Sequence, residues 1–179
     1  MINFLCELDW KLITTISIAL IAGFIALFQV RKNVISAART KWIEDLREVV
    51  SKYITELNSV LVLYDNMKFY SKKLIEKKIA PNENDNFIST KYNPYLQNTK
   101  IVEQLHLKII LYLNPHDNNH KSVINNLVEI NGILSDVMTA KNSVLLKDLN
   151  NMVQPHIEFI IEMMQKIFVL EHSKSKRLF

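Results

Sequence analysis

Glycine and cysteine are nearly missing from this chain of 179 residues, which holds two glycines, Gly23 and Gly132, one cysteine, Cys6, and four prolines. Two glycines are too few for a glycine-rich phosphate loop or a nucleophile elbow. So few turn formers also leave little from which to build the hairpins of a sheet. A single cysteine excludes an intramolecular disulfide and a cysteine-based zinc site. No paired acidic motif stands in their place, so the expectation is an all-α chain that is not an enzyme and that carries no cofactor and no metal.

Charge is missing from one stretch altogether. LITTISIALIAGFIALFQV, Leu12 to Val30, has no charged side chain and is followed at once by Arg31 and Lys32. At 1.5 Å per residue, about 19 helical residues reach about 28 Å, close to the ~30 Å hydrocarbon thickness of a bilayer. A secretory signal would begin with positive charge, whereas Glu7 and Asp9 precede Trp10 and Lys11 here. A buried helix would need a core large enough to surround every face, which the amphipathic remainder is too short to supply. The stretch therefore reads as a transmembrane helix. Arg31, Lys32, Arg39 and Lys41 crowd its C-terminal flank and predict that this end stays cytoplasmic, with Trp10 at the opposite interface. The predicted organisation is 1–11 extracytoplasmic, 12–30 transmembrane, 31–173 a cytosolic helical bundle and 174–179 a basic tail.

Within the span, small and weakly polar residues share a side. Thr15, Ala19, Ala22, Ala26 and Gln29 fall on one face with Ile18 beside them, and Ile13, Leu20, Phe24, Leu27 and Phe28 fall roughly opposite. Spans associate where small residues let backbones approach, as Thr15/Ala19, Ala19/Gly23 and Ala22/Ala26 permit. Ala19, Gly23 and Ala26 are the expected packing positions.

From Val34 to Ala80 there is no Gly or Pro, and a stripe runs through Ile35, Ala38, Trp42, Leu46, Val49, Tyr53, Leu57, Val60, Tyr64 and Met67. This predicts one long helix continuing directly from the span. Pro81 to Asn98, polar and holding two prolines, reads as a loop. A second helix carries Val102, Leu105, Ile109 and Tyr112 and stops before Asn114-Pro115. Asp117 or Asn118 caps a third, seamed by Val123, Leu127, Ile130, Leu134 and Val137. A fourth runs through Leu145, Leu149, Met152, His156, Phe159, Met163, Ile167 and Leu170, with Pro155 expected to kink or split it near Gln154. The tail SKSKRLF is expected to fray. One N-terminal transmembrane helix continuing into a four-helix bundle is the predicted fold.

His116 and His120 stand four apart, a metal-ligand spacing, but in an Asp/Asn-rich helix start with no third ligand, so capping is the simpler reading. His156 on the apolar stripe reads as a hydrogen-bonded core histidine. What remains is positive charge. Removing Lys11, Glu7 and Asp9 from totals of 22 basic and 18 acidic residues leaves 21 basic against 16 acidic beyond the span. The densest cluster is MKFYSKKLIEKK, where Lys68, Lys72, Lys73, Lys77 and Lys78 interleave with Phe69 and Tyr70. Lysines neutralise phosphates and aromatics stack on unpaired bases, which suits a single-stranded oligonucleotide. Lys91, Tyr92 and Tyr95 are expected to join it. The plainer alternative is a solvated helix end whose lysines complement the helix dipole.

ARTKWIEDLREVV, with Trp42, Ile43, Leu46 and Arg47 just beyond one span, resembles a stretch found in many small bacterial membrane proteins. The layout of one N-terminal span and a basic helical domain resembles membrane effectors of bacterial anti-phage systems, including the channel subunit of the Hailong type. That resemblance implies a bacterial inner-membrane protein controlled by an oligonucleotide that a partner nucleotidyltransferase makes. On this reading the chain is a ligand-gated ion channel, a homo-oligomer expected to be tetrameric. Thr15, Ile18, Ala22, Ile25 and Gln29 line its pore, Lys68, Tyr70, Lys72, Lys73, Lys77 and Lys78 hold the ligand, and Trp10, Arg31 and Lys32 flank the bilayer. The alternatives are a membrane-anchored interaction protein with no pore and a peripheral scaffold on anionic lipid.

Overall fold

The computed structural model describes residues 2–77, 86, 88–139 and 146–176. Among these the chain is helical outside the corner at 113–117 and has no strand: α1 (Ile2–Lys77), a short π-helical turn (Ile88–Tyr92), α2 (Asn93–Tyr112), α3 (Asn118–Thr139) and α4 (Leu146–Lys176). Leu145 and Lys78 lie outside the described residues. The chain divides into two compact units, Met1–Lys41 with Glu171–Phe179, and Trp42–Leu170.

α1 is a single helix of 76 residues. Nothing along it removes a backbone donor, and Gly23 meets open space. In the first unit its C-terminal part pairs with the end of α4. Arg39 Nε reaches Glu171 Oε2 at 3.2 Å, and the Ser36 and Ser175 hydroxyls bond at 2.7 Å. The Ser-Lys tail, expected to fray, is therefore helical to Lys176, with Ser175 buried. Arg39, one of the four basic residues of the flank, thus has its charge met by Glu171.

The second unit is the bundle. Its core takes Leu46, Tyr53, Leu57 and Tyr64 from α1, Val102 and Ile109 from α2, the whole predicted seam of α3, and Leu149, Val153, Ile157, Ile160, Met164 and Ile167 from α4. The predicted α1 stripe is buried or half-buried from Trp42 to Met67, whereas Ile35 and Ala38, in the other unit, are exposed.

Three expectations need correction. Pro81 to Asn98 is not wholly loop, because the chain is helical from Ile88, with Pro94 in the first turn of α2. There a missing N–H leaves nothing unpaired, so proline starts the helix instead of breaking it. Pro155 neither splits nor ends α4, which runs unbroken through it. Its ring is exposed, while Val153 and Ile157 on either side are buried and hold the helix in place. The buried face of α4 also differs from the predicted stripe. Met152, Phe159 and Leu170 are exposed, and the core positions lie next to them.

The α2–α3 corner follows from local chemistry. Leu113 leaves the helix in extended conformation, φ −93° and ψ 143°. The Asp117 carboxylate then accepts the Asn119 and His120 backbone N–H groups at 2.8 and 3.2 Å, capping α3 as expected.

Candidate functional site

The first candidate is the apolar part of α1. From Trp10 to Val30 every residue is exposed, and the large side chains among them range from Ile16 and Ile25 at 52% to Phe24 at 76%. This helix is long and apolar enough to cross a membrane, and none of its most apolar window is buried. Leaving that many Leu, Ile and Phe side chains in water is costly at about 1.5–3 kcal/mol each.

At about 100° per residue, Thr15, Ile18, Ala22, Ile25 and Gln29 lie within about 80° of arc, and Ala19, Gly23 and Ala26 lie on the adjoining strip. Their 3-4-3-4 spacing makes a knobs-into-holes seam. The hydroxyls of this segment are spent on its own backbone. Thr15 donates to the Lys11 carbonyl at 2.8 Å, Ser17 to Ile13 at 2.8 Å, and Thr14 is shared between Trp10 and Lys11. Thr15 can therefore present only an acceptor and a methyl group, and Gln29 is the one amide side chain on the strip. At the basic flank Arg31 is exposed, and the Lys32 ammonium lies 5.6 Å from the Phe28 ring centroid, which draws its aliphatic stem back over the apolar helix.

The second candidate is the basic and aromatic surface of the bundle. Lys68 Nζ sits 5.4 Å from the Tyr64 ring centroid, and Phe69 meets Tyr70 edge to face at 5.7 Å. Lys91, from the π-helical turn, lies 4.8 Å over the same Tyr70 ring. Tyr70 and Tyr92 are 41% and 40% exposed, so both keep a face for a ligand. Lys91 thus meets Tyr70 across the two elements. Tyr95 is not part of this surface. It is 3% exposed, packs on Tyr64 with centroids 6.2 Å apart, and its hydroxyl is pushed above the ordinary tyrosine range, chiefly by burial. The side chains of Lys73 and Lys77, like all of Lys78, lie outside the described residues.

His120 and His156 are both held by hydrogen bonds. His120 is buried, stacks on Trp42 with centroids 6.1 Å apart, and accepts the Asn114 N–H at Nδ1 over 2.9 Å. That nitrogen is already engaged, and no group of three metal-binding side chains occurs among the described residues. His156 Nδ1 meets Asn126 Oδ1 at 2.8 Å, while Asn126 Nδ2 donates to the Ser122 carbonyl at 2.9 Å. Because Asn126 presents its oxygen, His156 donates from Nδ1, and the half-buried ring is held by this hydrogen bond as expected.

Sequence reasoning missed a third feature, a groove of about 420 Å³ between α1 and α4. Arg47, Val50, Ser51 and Ile54 form one wall, and Ile161, Met164, Gln165, Phe168 and Val169 the other. The Arg47 guanidinium stacks on the Phe168 ring at 5.2 Å. Only a pairing of the two helices creates this feature, so no single stripe announces it. Comparisons with protein-family models, with curated proteins and with solved structures each return no match.

Proposed function

We propose that this chain is a single-pass membrane protein whose N-terminal helices associate, copy against copy, into an ion-conducting homo-oligomer, most simply a tetramer. The observation that carries this reading is the uncovered apolar helix from Trp10 to Val30, whose whole circumference needs lipid and sister helices as its solvent. One helix encloses nothing. Several copies meeting along Thr15, Ile18, Ala22, Ile25 and Gln29 enclose a narrow lumen, with Ala19, Gly23 and Ala26 letting the backbones close in. Ile18 and Ile25 then form hydrophobic constrictions that gate by dewetting, and Gln29 supplies a polar ring. Arg31 and Lys32 favour the cytoplasmic side for the end that leads into the bundle, and Trp10 the outer interface.

The basic and aromatic surface around Lys68, Tyr70, Lys72 and Lys91 suits an anionic ligand with stacking rings. A single-stranded oligonucleotide meets both requirements, and it controls the channel by binding one state more tightly than the other. A role in anti-phage defence, and a nucleotidyltransferase as source of the ligand, rest on the resemblance in layout alone.

The test is single-channel recording of the full-length protein in a planar bilayer, with and without short single strands. Unitary steps that disappear in Ile18→Trp and change amplitude in Gln29→Leu are expected. Silence under every condition, or a detergent-solubilised particle with the mass of one chain, ends the channel reading. It would favour the second reading, a membrane-anchored interaction protein, which the spent hydroxyls of Thr14, Thr15 and Ser17 already suit, since a helix with so little free polarity serves equally as an anchor.

A further inference from the structure

We infer that the groove between α1 and α4 is a binding site for a single-chain amphiphile with a carboxylate head, a free medium-chain fatty acid. Its volume of about 420 Å³ falls in the range of small-molecule sites, which are mostly apolar with a few polar groups to fix orientation. Val50, Ile54, Ile161, Met164 and Phe168 give the apolar lining, and the polar groups are Arg47, Ser51 and Gln165. The groove runs between two helix walls, along which a hydrocarbon chain can lie. Arg47 stands at the Phe168 end, seven residues from Ile54, so the tail has about 10 Å of apolar wall beside it.

The charge argues for a carboxylate. The Arg47 guanidinium carbon lies 5.2 Å from the Phe168 ring centroid, so a cation with five N–H donors stands at this end of the groove. Among the described residues no carboxylate pairs with Arg47. A fork of donors at the end of an apolar slot matches a bidentate carboxylate. The site lies entirely within the bundle and does not depend on whether the spans conduct.

The experiment uses the full chain in lipid nanodiscs, a photoactivatable fatty acid as probe, and peptide mass spectrometry to place the adducts. Adducts are expected on the peptides holding Met164 to Val169, displaced by dodecanoate, with affinity rising about fourfold per added methylene until the slot is full. Arg47→Gln should weaken displacement about tenfold or more and Arg47→Lys much less. Val169→Trp, at a position 69% exposed and so harmless to the core, should block the slot. Adducts on Trp10 to Val30, from probe dissolved in lipid, should stay constant throughout and confirm intact protein. Equal displacement by dodecylamine or dodecanol would remove Arg47 from the site and overturn the inference. So would groove adducts indifferent to Val169→Trp, or a Ser51→Cys variant that crosslinks to a second copy, since that copy would be the occupant.

Discussion

Trp42 is the residue through which α1 holds the α2–α3 corner, and Trp42→Phe measures how firmly. Its indole N–H donates to the Tyr112 carbonyl at 3.2 Å. Tyr112 is the last residue of α2, whose final carbonyls have no donor one turn ahead, so a side chain of one helix caps the end of another. The same indole stacks on His120, whose Nδ1 accepts the Asn114 N–H, and thereby steadies the turn on both sides. Phenylalanine keeps most of the apolar contact and loses the donor and part of the stack. With about 1 kcal/mol for the hydrogen bond and about half of a typical aromatic pair, the cost is about 1.3–1.8 kcal/mol. If the corner opens locally, amides from Leu113 to Lys121 should exchange about tenfold to twentyfold faster. Hydrogen exchange by mass spectrometry on the full chain in nanodiscs reads this, with Val153 to Ile160 of α4 as internal reference. A change below about twofold at the corner would show that the Trp42 contacts carry no energy there. An equal acceleration in α4 would show that the loss belongs to the whole core and not to the cap.

Further outcomes follow from other residues. His106 is buried with no partner for Nδ1, and burial lowers its affinity for a proton below the ordinary value of 6.5, with Glu103 opposing. The unfolded chain therefore binds the proton first, so this contribution to stability is complete above pH 6.5 and declines as pH falls through it; His106→Phe should flatten that slope in urea titrations at several pH values. Asp117→Ala removes the acceptor for two backbone N–H groups at the start of α3 and should cost about 1 kcal/mol in the same titration, with Asp117→Asn nearly neutral. Pro155→Ala restores a donor inside α4 at an exposed position and should raise stability by about 1–3 kcal/mol, whereas a loss would mean that the ring makes contacts worth more than the missing hydrogen bond.

What could be read in advance, and what could not, comes down to how apolar side chains are spread around each helix. In α3 they form one narrow seam, so Val123, Leu127, Ile130, Leu134 and Val137 could be assigned to the core from spacing alone, and all five are buried. In α4 the run from Ile157 to Met164 is apolar on several sides, and several stripes fit equally well. Only contact with the other helices selects Ile157, Ile160 and Met164 and leaves Phe159 and Ile161 at the surface. The prolines misled for a related reason. Their effect depends on position within a turn and on which face is buried, neither of which composition records. The cluster around Lys68 was legible because its members are neighbours in the chain, and Lys91 joins it because α1 and α2 pack together at Tyr64 and Tyr95. The groove at Arg47 was illegible because it belongs to neither helix alone. The segment from Leu12 to Val30 is the limiting case. It uses the same Ile, Leu and Phe as the core but spreads them around the full circumference, and no packing of the same chain can bury a helix on every side when the other helices have spent their apolar faces on each other. The physical distinction between a core helix and a membrane helix is therefore angular before it is compositional, and that angular distribution is what leaves this stretch uncovered on every side and apolar enough to cross a membrane.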